Sequence, residues 1–275
     1  MGAPGERPGM EETRVAACQV AVEDLAVGEN LATMRRRVRR LADDVALAVF
    51  PEYALTGFVA DERAHDAAVP ADGDAVAALA ELAVESDLTL VVGFLEDAGE
   101  ETYNAVAVVG PDGERSVYRK RHLWAGEAAV LTAGEDRLVV ETPAGTAGVA
   151  TCYDLNFVAD SAAFARERVE LLVVPAAWPA TYSENWRLLA RARALDGVRY
   201  VVGAGRTGRR ELPDAPATEY AGRSLVVRPD GTVMAARNRT EGDVVATLSP
   251  AELREQRSFV DALDDPGLST FENDF

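Results

Sequence analysis

Short apolar runs that alternate with helical patterns constrain the fold of this chain more than any other feature. Residues 45–50, 88–95 and 171–174 are almost wholly apolar, which is typical of strands that are buried on both faces. Turn sequences at residues 110–113 and 228–231 each join two strand-like runs into a hairpin, one in each half of the chain. Two sheets packed face to face, with helices outside them, would bury such strands. The sequence therefore predicts an α/β fold.

The domain organisation is predicted to be simple, because no linker or break in composition divides the chain. We expect one domain over residues 13–260, since 275 residues of which 48% are hydrophobic can form a full core. Residues 1–12 lack the apolar centre of a signal peptide and are expected to form a flexible N-terminal tail. Residues 261–275 are expected to form an acidic C-terminal tail. No apolar run approaches the roughly 18 residues of a membrane helix, so we expect a cytoplasmic protein.

The charge balance is strongly acidic, with 46 Asp and Glu against 28 Lys and Arg and a formal net charge of −18. This excess argues against nucleic acid and against anionic membranes as partners. It indicates either adaptation to high salt, as in halophilic proteins, or the bias of a genome rich in GC. A thermal unfolding midpoint that rises with KCl concentration would favour the first explanation. Under either explanation, Lys120 is the only lysine of the chain. This suggests that Lys120 has a functional role.

Cys152 stands between a predicted strand at residues 146–151 and a helical pattern at residues 159–168. At such a junction the helix N-terminus lowers the pKa of a thiol, and the sharp turn exposes the side chain, as a nucleophile requires. The alternative is a buried cysteine that packs as a small hydrophobe, which is our interpretation of Cys18. The two cysteines do not form a disulfide framework. No cluster has the spacing of zinc ligands, so we expect no metal and no cofactor.

Glu52 and Lys120 follow two other predicted strands. Glu52 stands directly after the buried run at residues 45–50 and Pro51, and Lys120 follows the second strand of the first hairpin. In α/β folds, catalytic groups collect at strand ends, although a solvated loop carboxylate is the alternative for Glu52. Acyl transfer needs a nucleophile, a base and a positive charge near the developing oxyanion. Cys152, Glu52 and Lys120 supply these three groups.

The segments around these three residues, FPEYALTG, YRKRHLW and GVATCYDLNF, together resemble the nitrilase, or carbon–nitrogen hydrolase, superfamily. The resemblance covers about residues 13–253 and includes Glu127, which matches a second glutamate of many members. It implies a four-layer αββα sandwich, homodimers or larger assemblies, and hydrolysis of a non-peptide C–N bond in a small-molecule amide or nitrile. Cys152 would be the nucleophile and Glu52 the general base.

The remaining site residues are predicted to stabilise charge, to position other groups, to form a pocket wall or to order a loop. Lys120 would hold a fixed positive charge beside the tetrahedral intermediate, with the backbone N–H of Tyr153 as a second donor. Glu127 would position the substrate or Lys120, or else form a structural salt bridge. Trp178 would form a pocket wall or pack in the core. His122 is interpreted as a residue that orders its loop, rather than as the base of a Cys-His dyad.

The residues after Cys152 bear on the substrate. Relatives that accept carboxylate-bearing substrates often have an arginine two to four positions after the cysteine, where this chain has Leu155 and Asn156. Because a buried substrate carboxylate needs a partner, we expect a small, mostly neutral amide, cleaved to a carboxylic acid and ammonia through a cysteine thioester. The other arginines, Arg206 for instance, could still reach the pocket from elsewhere in the chain. The alternatives are a nitrilase, an N-carbamoyl or ω-amido acid hydrolase, and an idle scaffold member of the family.

Overall fold

The structure, a computed structural model, describes residues 10–265. Fourteen strands are found in this part of the chain: β1 (Thr13–Gln19), β2 (Val45–Val49), β3 (Thr89–Asp97), β4 (Thr102–Val109), β5 (Arg115–Arg119), β6 (Leu138–Thr142), β7 (Gly145–Val149), β8 (Leu171–Ala176), β9 (Tyr200–Gly205), β10 (Arg209–Arg210), β11 (Thr218–Glu219), β12 (Leu225–Val227), β13 (Val233–Ala236) and β14 (Gly242–Leu248). The α-helices of the same residues are α1 (Val27–Val38), α2 (Arg63–Ala67), α3 (Asp74–Ser86), α4 (Val158–Arg166), α5 (Ser183–Gly197) and α6 (Pro250–Val260).

The strands form two six-stranded mixed sheets. The first has the order β14-β1-β2-β3-β4-β5 and the second the order β13-β12-β9-β8-β7-β6. In each sheet three neighbouring strands are parallel, β1, β2 and β3 in the first and β7, β8 and β9 in the second. The two predicted hairpins are present as β4–β5 and β12–β13. A small hairpin, β10–β11, stands apart from both sheets and was not predicted.

Alternating side chains along the central strands separate the core into layers. Leu47 and Val49 of β2 pack between the two sheets, whereas Ala48 packs on the outer face of the first sheet against side chains of α1 and α3. In β8, Leu171 and Val173 likewise point inward. Their neighbours Leu172 and Val174 pack outward, in the cluster that holds the buried side chains of α4 and α5. The predicted four-layer αββα sandwich is therefore confirmed, and both faces of these strands are buried as their apolar runs require.

The ends of the chain are described only in part. Residues 1–9 of the predicted N-terminal tail and residues 266–275 of the predicted C-terminal tail lie outside the described residues. Met10, which belongs to the predicted N-terminal tail, is 6% exposed and packs in the layer between the two sheets. Among residues 10–265, no helix combines the length and the apolar content that crossing a membrane would take.

Candidate active site

Cys152 lies three residues beyond the end of β7, in a 3-10 turn that covers Cys152–Asn156. Its backbone φ is +47°, in the left-handed region that residues with a side chain seldom adopt. The residue is 8% exposed and lines the same cavity as Glu52. The sharp turn thus directs the thiol into a site formed by residues from other strands.

The expectation that a helix N-terminus lowers the pKa of Cys152 is wrong. The five-residue 3-10 turn separates the thiol from α4, which begins only at Val158. Burial raises the pKa of Cys152 well above its ordinary value, and the negative charge of Glu52 raises it further, against the opposing effect of Lys120. The resting thiol is therefore protonated at neutral pH, and a nucleophilic role would require a base in contact with it.

Glu52 occupies the position of that base. It lies three residues beyond β2 and is 2% exposed. Its Oε1 accepts hydrogen bonds from Lys120 Nζ and from Asn104 Nδ2, both at 2.8 Å. Its Oε2 accepts from the backbone N–H of Ala177 at 2.8 Å. These bonds hold the carboxylate in one orientation beside the Cys152 thiol, although the two residues come from different sheets.

Lys120 is enclosed between two carboxylates. The residue follows β5 directly, is 1% exposed, and its Nζ lies 2.8 Å from Glu52 Oε1 and 2.8 and 2.9 Å from the two oxygens of Glu127. Burial by itself would lower the pKa of Lys120, but the attraction of Glu52 and Glu127 outweighs it and holds the pKa well above the usual value. The ammonium group is thus a permanent positive charge in the site.

Glu127 is the second carboxylate of this cluster and lies in a 3-10 turn at Ala125–Ala129. It accepts hydrogen bonds from the Tyr53 hydroxyl and from the backbone N–H of Trp124, the latter at 2.6 Å. Burial would raise the pKa of Glu127, but the charge and hydrogen bonds of Lys120 lower it below the usual value. The carboxylate is therefore ionised, pairs with Lys120 and lines the same cavity as Cys152.

Asn104 belongs to the cluster and was not found from the sequence. Its Nδ2 lies 2.8 Å from Glu52 Oε1, 2.9 Å from Glu127 Oε1 and 2.7 Å from the Tyr53 hydroxyl oxygen. The side chain thereby joins the two carboxylates at a fixed separation. The available signal was an amide in the middle of β4, a strand whose residues are all buried and mostly apolar, because a buried amide needs hydrogen-bond partners.

Asp154 and His122 order the loops beside the cysteine. Asp154 accepts from the Tyr118 hydroxyl at 2.7 Å and from the backbone N–H of His122 at 3.1 Å. Burial raises the pKa of Asp154 to about 6, even though Lys120 and the hydrogen bonds from the Tyr118 hydroxyl and the Thr151 backbone N–H oppose the rise. The His122 ring bonds to Asp160, with Nε2 2.7 Å from Oδ2, and stacks on Phe157 at 3.5 Å. These contacts agree with its interpretation as a loop-ordering residue.

Two cavities meet at the Cys152 thiol. One of about 300 Å³ contains the charged cluster and is lined by Glu52, Tyr53, Phe58, Ala60, Lys120, Trp124, Ala125, Gly126, Glu127, Cys152, Ala177, Pro179, Arg210, Pro216, Thr218 and Tyr220. The other, of about 180 Å³, is lined by Trp124, Cys152, Tyr153, Asn156, Trp178, Pro179, Tyr182 and Asn185. The structure thus brings Glu52, Lys120, Glu127 and Cys152 together, and places Tyr153 and Trp178 on the adjoining wall.

Two expectations about cavity walls have distinct outcomes. Trp178 lines the smaller cavity and also packs 5.8 Å from the ring of Trp186, so both of its interpretations apply. Arg206 lines neither cavity, because it is buried in an ion pair with Asp24 at 2.6 Å and stacks over Tyr220. The suggestion that Arg206 brings charge to the pocket is therefore wrong.

Comparisons with known proteins agree with this geometry. The family profile described as carbon–nitrogen hydrolase matches residues 14–258. An (R)-stereoselective amidase of Pseudomonas sp. is 29% identical and aligns over 93% of this chain and 92% of the relative. The omega-amidase NIT2 of Bos taurus is 30% identical over 90% and 92% of the two chains. The crystal structure of XC1258 from Xanthomonas campestris, a CN-hydrolase superfamily protein, superposes with a TM-score of 0.84 at 27% identity, covering 93% of this chain and 97% of that one.

Proposed function

This chain belongs to the carbon–nitrogen hydrolase family, and we propose that it hydrolyses a small non-peptide amide to a carboxylic acid and ammonia. The observation that carries the proposal is the arrangement of Glu52, Lys120 and Cys152. A protonated thiol and a buried carboxylate line the same cavity of about 300 Å³, and a permanent ammonium bonds to that carboxylate. Relatives named amidase and omega-amidase support the choice of an amide.

The acylation half of the reaction follows from these contacts. Glu52 accepts the proton of the Cys152 thiol while the sulfur attacks the amide carbonyl carbon. The negative charge that develops on the carbonyl oxygen is stabilised by Lys120 Nζ and by the backbone N–H of Tyr153. The tetrahedral intermediate then collapses, the C–N bond breaks, and Glu52 returns the proton to the departing ammonia. The product on the enzyme is a thioester of Cys152.

The deacylation half uses the same groups in a second cycle. A water molecule enters the position that ammonia has left, and Glu52 removes its proton as the oxygen attacks the thioester carbon. Lys120 again stabilises the oxyanion, the C–S bond breaks, and the thiolate recovers its proton from Glu52. Glu127 keeps Lys120 in place through both cycles, because its two oxygens hold the ammonium group.

A panel of compounds tests this proposal against its alternatives. Ammonia release would be measured with small aliphatic amides, the corresponding nitriles and N-carbamoyl compounds, at low and at high KCl. Amides should be the best substrates. Faster release from nitriles would identify the protein as a nitrilase. A preference for N-carbamoyl compounds would identify it as an N-carbamoyl hydrolase. A protein that cleaves none of them, while correctly folded, would be the scaffold member considered from the sequence.

We also propose that two copies associate through helices α4 and α5. These helices expose large apolar side chains, with Val158 at 64%, Leu188 at 66% and Leu195 at 51% exposure, and apolar patches of this kind mark association surfaces. Sedimentation equilibrium should give a homodimer or a larger assembly. The cytoplasmic location and the single domain over residues 13–260 stay predictions from the sequence.

Gly93 of β3 is expected to be essential for the position of Glu52. A Cβ atom at Gly93 would lie 2.6 Å from three backbone atoms, namely Glu52 Cα, the Pro51 oxygen and the Tyr53 nitrogen. Gly93→Ala must therefore displace the turn that carries Glu52. We expect a loss of about 1–3 kcal/mol in the free energy of unfolding, as for overpacked cores, together with at least a tenfold lower rate of ammonia release.

Gly28→Ala is the matched control for this substitution. Gly28 lies in α1, and a Cβ atom there meets no heavy atom within 4 Å. The free energy of unfolding and the rate of ammonia release should both stay near those of the parent. The new Cβ atom displaces nothing, and alanine is a better helix former than glycine. If Gly93→Ala left the unfolding free energy and the rate unchanged, the close approach of β3 to the Glu52 turn would have no consequence for the site.

A further inference from the structure

Arg210 lines the cavity of about 300 Å³ that also contains Glu52, Lys120, Glu127 and Cys152. It belongs to β10 of the small β10–β11 hairpin, which neither main sheet includes. Arg210 therefore joins the cavity wall from a part of the chain that carries none of the four other residues. Lys120 and Arg210 are the two cationic residues among the described residues that line this cavity.

The contacts of Arg210 hold its guanidinium in place without neutralising it. Nη1 donates to the backbone oxygen of Phe58 at 3.1 Å, and Nη2 donates to the backbone oxygen of Pro216 at 3.0 Å and to Thr218 Oγ1 at 2.8 Å. All three acceptors are uncharged. Nε is buried and has no hydrogen-bond partner in the described part of the chain. The group is thus oriented and retains an unused donor.

Nearby basic residues show how Arg210 differs from its neighbours. Arg209 pairs with Glu211 at 2.9 Å, Arg206 pairs with Asp24 at 2.6 Å, and Arg63 pairs with Asp61 at 2.6 Å. Within residues 10–265, no carboxylate lies within the 4.0 Å of an ion pair from the Arg210 guanidinium. Asp61 is a carboxylate whose pKa is lowered mainly by its hydrogen bonds with Arg63, with which it is already paired, and also by Arg210 from beyond ion-pair distance. A half-buried guanidinium without a directly bonded counter-ion favours binding of an anion.

The charge of the cavity indicates why an anion would need this group. Glu52 and Glu127 contribute two negative charges and Lys120 one positive charge, so these three residues alone would repel an anionic substrate. Arg210 makes the lining neutral and puts the second positive charge on the hairpin. A substrate whose amide lies at Cys152 could therefore place a carboxylate against Arg210.

We propose that Arg210 is a specificity-determining residue, which binds a carboxylate at the end of the substrate remote from the amide. This inference rests on the proposed amidase function and changes one expectation about it. The absence of arginine at Leu155 and Asn156 pointed to a neutral substrate, whereas the structure supplies an arginine from another element. The substrate class becomes small amides that carry a carboxylate.

The test compares two classes of substrate of matched chain length, acidic and uncharged amides, in glutamine variants that each lose one charge. Succinamate and glutaramate carry the carboxylate, and butyramide and pentanamide are their uncharged counterparts. Arg210→Gln should lower kcat/KM for the acids about 10- to 100-fold, mainly through KM, as expected for loss of a charge-assisted hydrogen bond. The uncharged amides should change by less than about twofold, since they make no ionic contact with Arg210. Arg210→Lys should restore part of the loss.

Arg209→Gln is the control, because this neighbouring residue of β10 is exposed and should leave both substrate classes at the parent value. Calorimetric titration with glutarate gives a readout that does not depend on activity. The parent and Arg209→Gln should bind glutarate, and Arg210→Gln should bind it at least tenfold more weakly. Equal losses for acids and uncharged amides, or a parent that does not bind glutarate, would overturn the inference. A parent that binds glutarate but cleaves no amide would instead contradict the proposed function.

Discussion

Replacing Cys152 by alanine should abolish ammonia release, with a fall in kcat of at least about 10⁴-fold for every amide that the parent cleaves. The proposed thioester cannot form without the sulfur, and Lys120, which contacts Glu52 in the same cavity, is a permanent ammonium that cannot act as a nucleophile. Steady-state ammonia assays on purified protein, with thermal unfolding in parallel, would measure both activity and folding. The midpoint should stay close to that of the parent, because the substitution removes only one atom from a cavity wall.

Cys18→Ala is the matched control for this experiment. Cys18 is fully buried in the outer core layer of the first sheet, as predicted, and has no contact with the cavities at Cys152. Its removal should lower stability modestly, through the lost packing of one sulfur atom, and should leave kcat near the parent value. Residual hydrolysis by Cys152→Ala within tenfold of the parent would exclude Cys152 as the nucleophile.

Lys120→Met should be the second most damaging change to activity and the most damaging change to stability. Methionine has a similar length but no ammonium group. The substitution therefore leaves Glu52 and Glu127 as two buried carboxylates without the cation that lies between them. Breaking a buried ion pair on one side typically costs about 3–5 kcal/mol. We also expect kcat/KM to fall at least about 10³-fold, since the positive charge near the oxyanion is lost. Denaturant unfolding and ammonia release measure the two effects.

A double variant separates the two roles of Lys120. Adding Glu127→Gln to Lys120→Met removes one of the unpaired charges and should recover part of the unfolding free energy, but none of the activity. Arg14→Gln is the control, because Arg14 pairs with Asp44 at 2.6 Å and the two side chains are 38% and 61% exposed. A pair of that kind contributes about 0–1 kcal/mol. If Lys120→Met kept more than a tenth of the parent activity, Lys120 would not stabilise the transition state.

Much of the fold could be predicted because it depends on patterns that are local in the sequence. The apolar runs at β2, β3 and β8 and the two proline-containing turns identified the buried strands and the hairpins, and burial on both faces required helices outside two sheets. The β10–β11 hairpin escaped detection, since its strands have two residues each and contain no apolar period. Such short strands form because the surrounding structure positions them.

From the residues alone, the candidate site could be predicted where one strand end supplies one functional group. Glu127 lies in a 3-10 turn and came from the family resemblance, whereas Glu52, Lys120 and Cys152 could be found in this way. Asn104 and Arg210 could not, because their importance depends on which strands become neighbours in space. The pKa of the Cys152 thiol was predicted in the wrong direction for the same reason. The burial of Cys152 and its proximity to the charge of Glu52 raise the pKa, and both arise from the tertiary structure. The helix dipole, which would lower the pKa, was inferred from the adjacent sequence.

Trapping the acyl-enzyme tests the central claim most directly. The parent would be mixed with a saturating amide, quenched in acid at successive times within the first turnovers, and digested for mass spectrometry of the peptide that contains Cys152. The account predicts that this peptide gains the mass of the acyl group, with ammonia released in step with the adduct, and that the Cys18 peptide stays unmodified. Ammonia release while Cys152 remains a free thiol at every time point would contradict it.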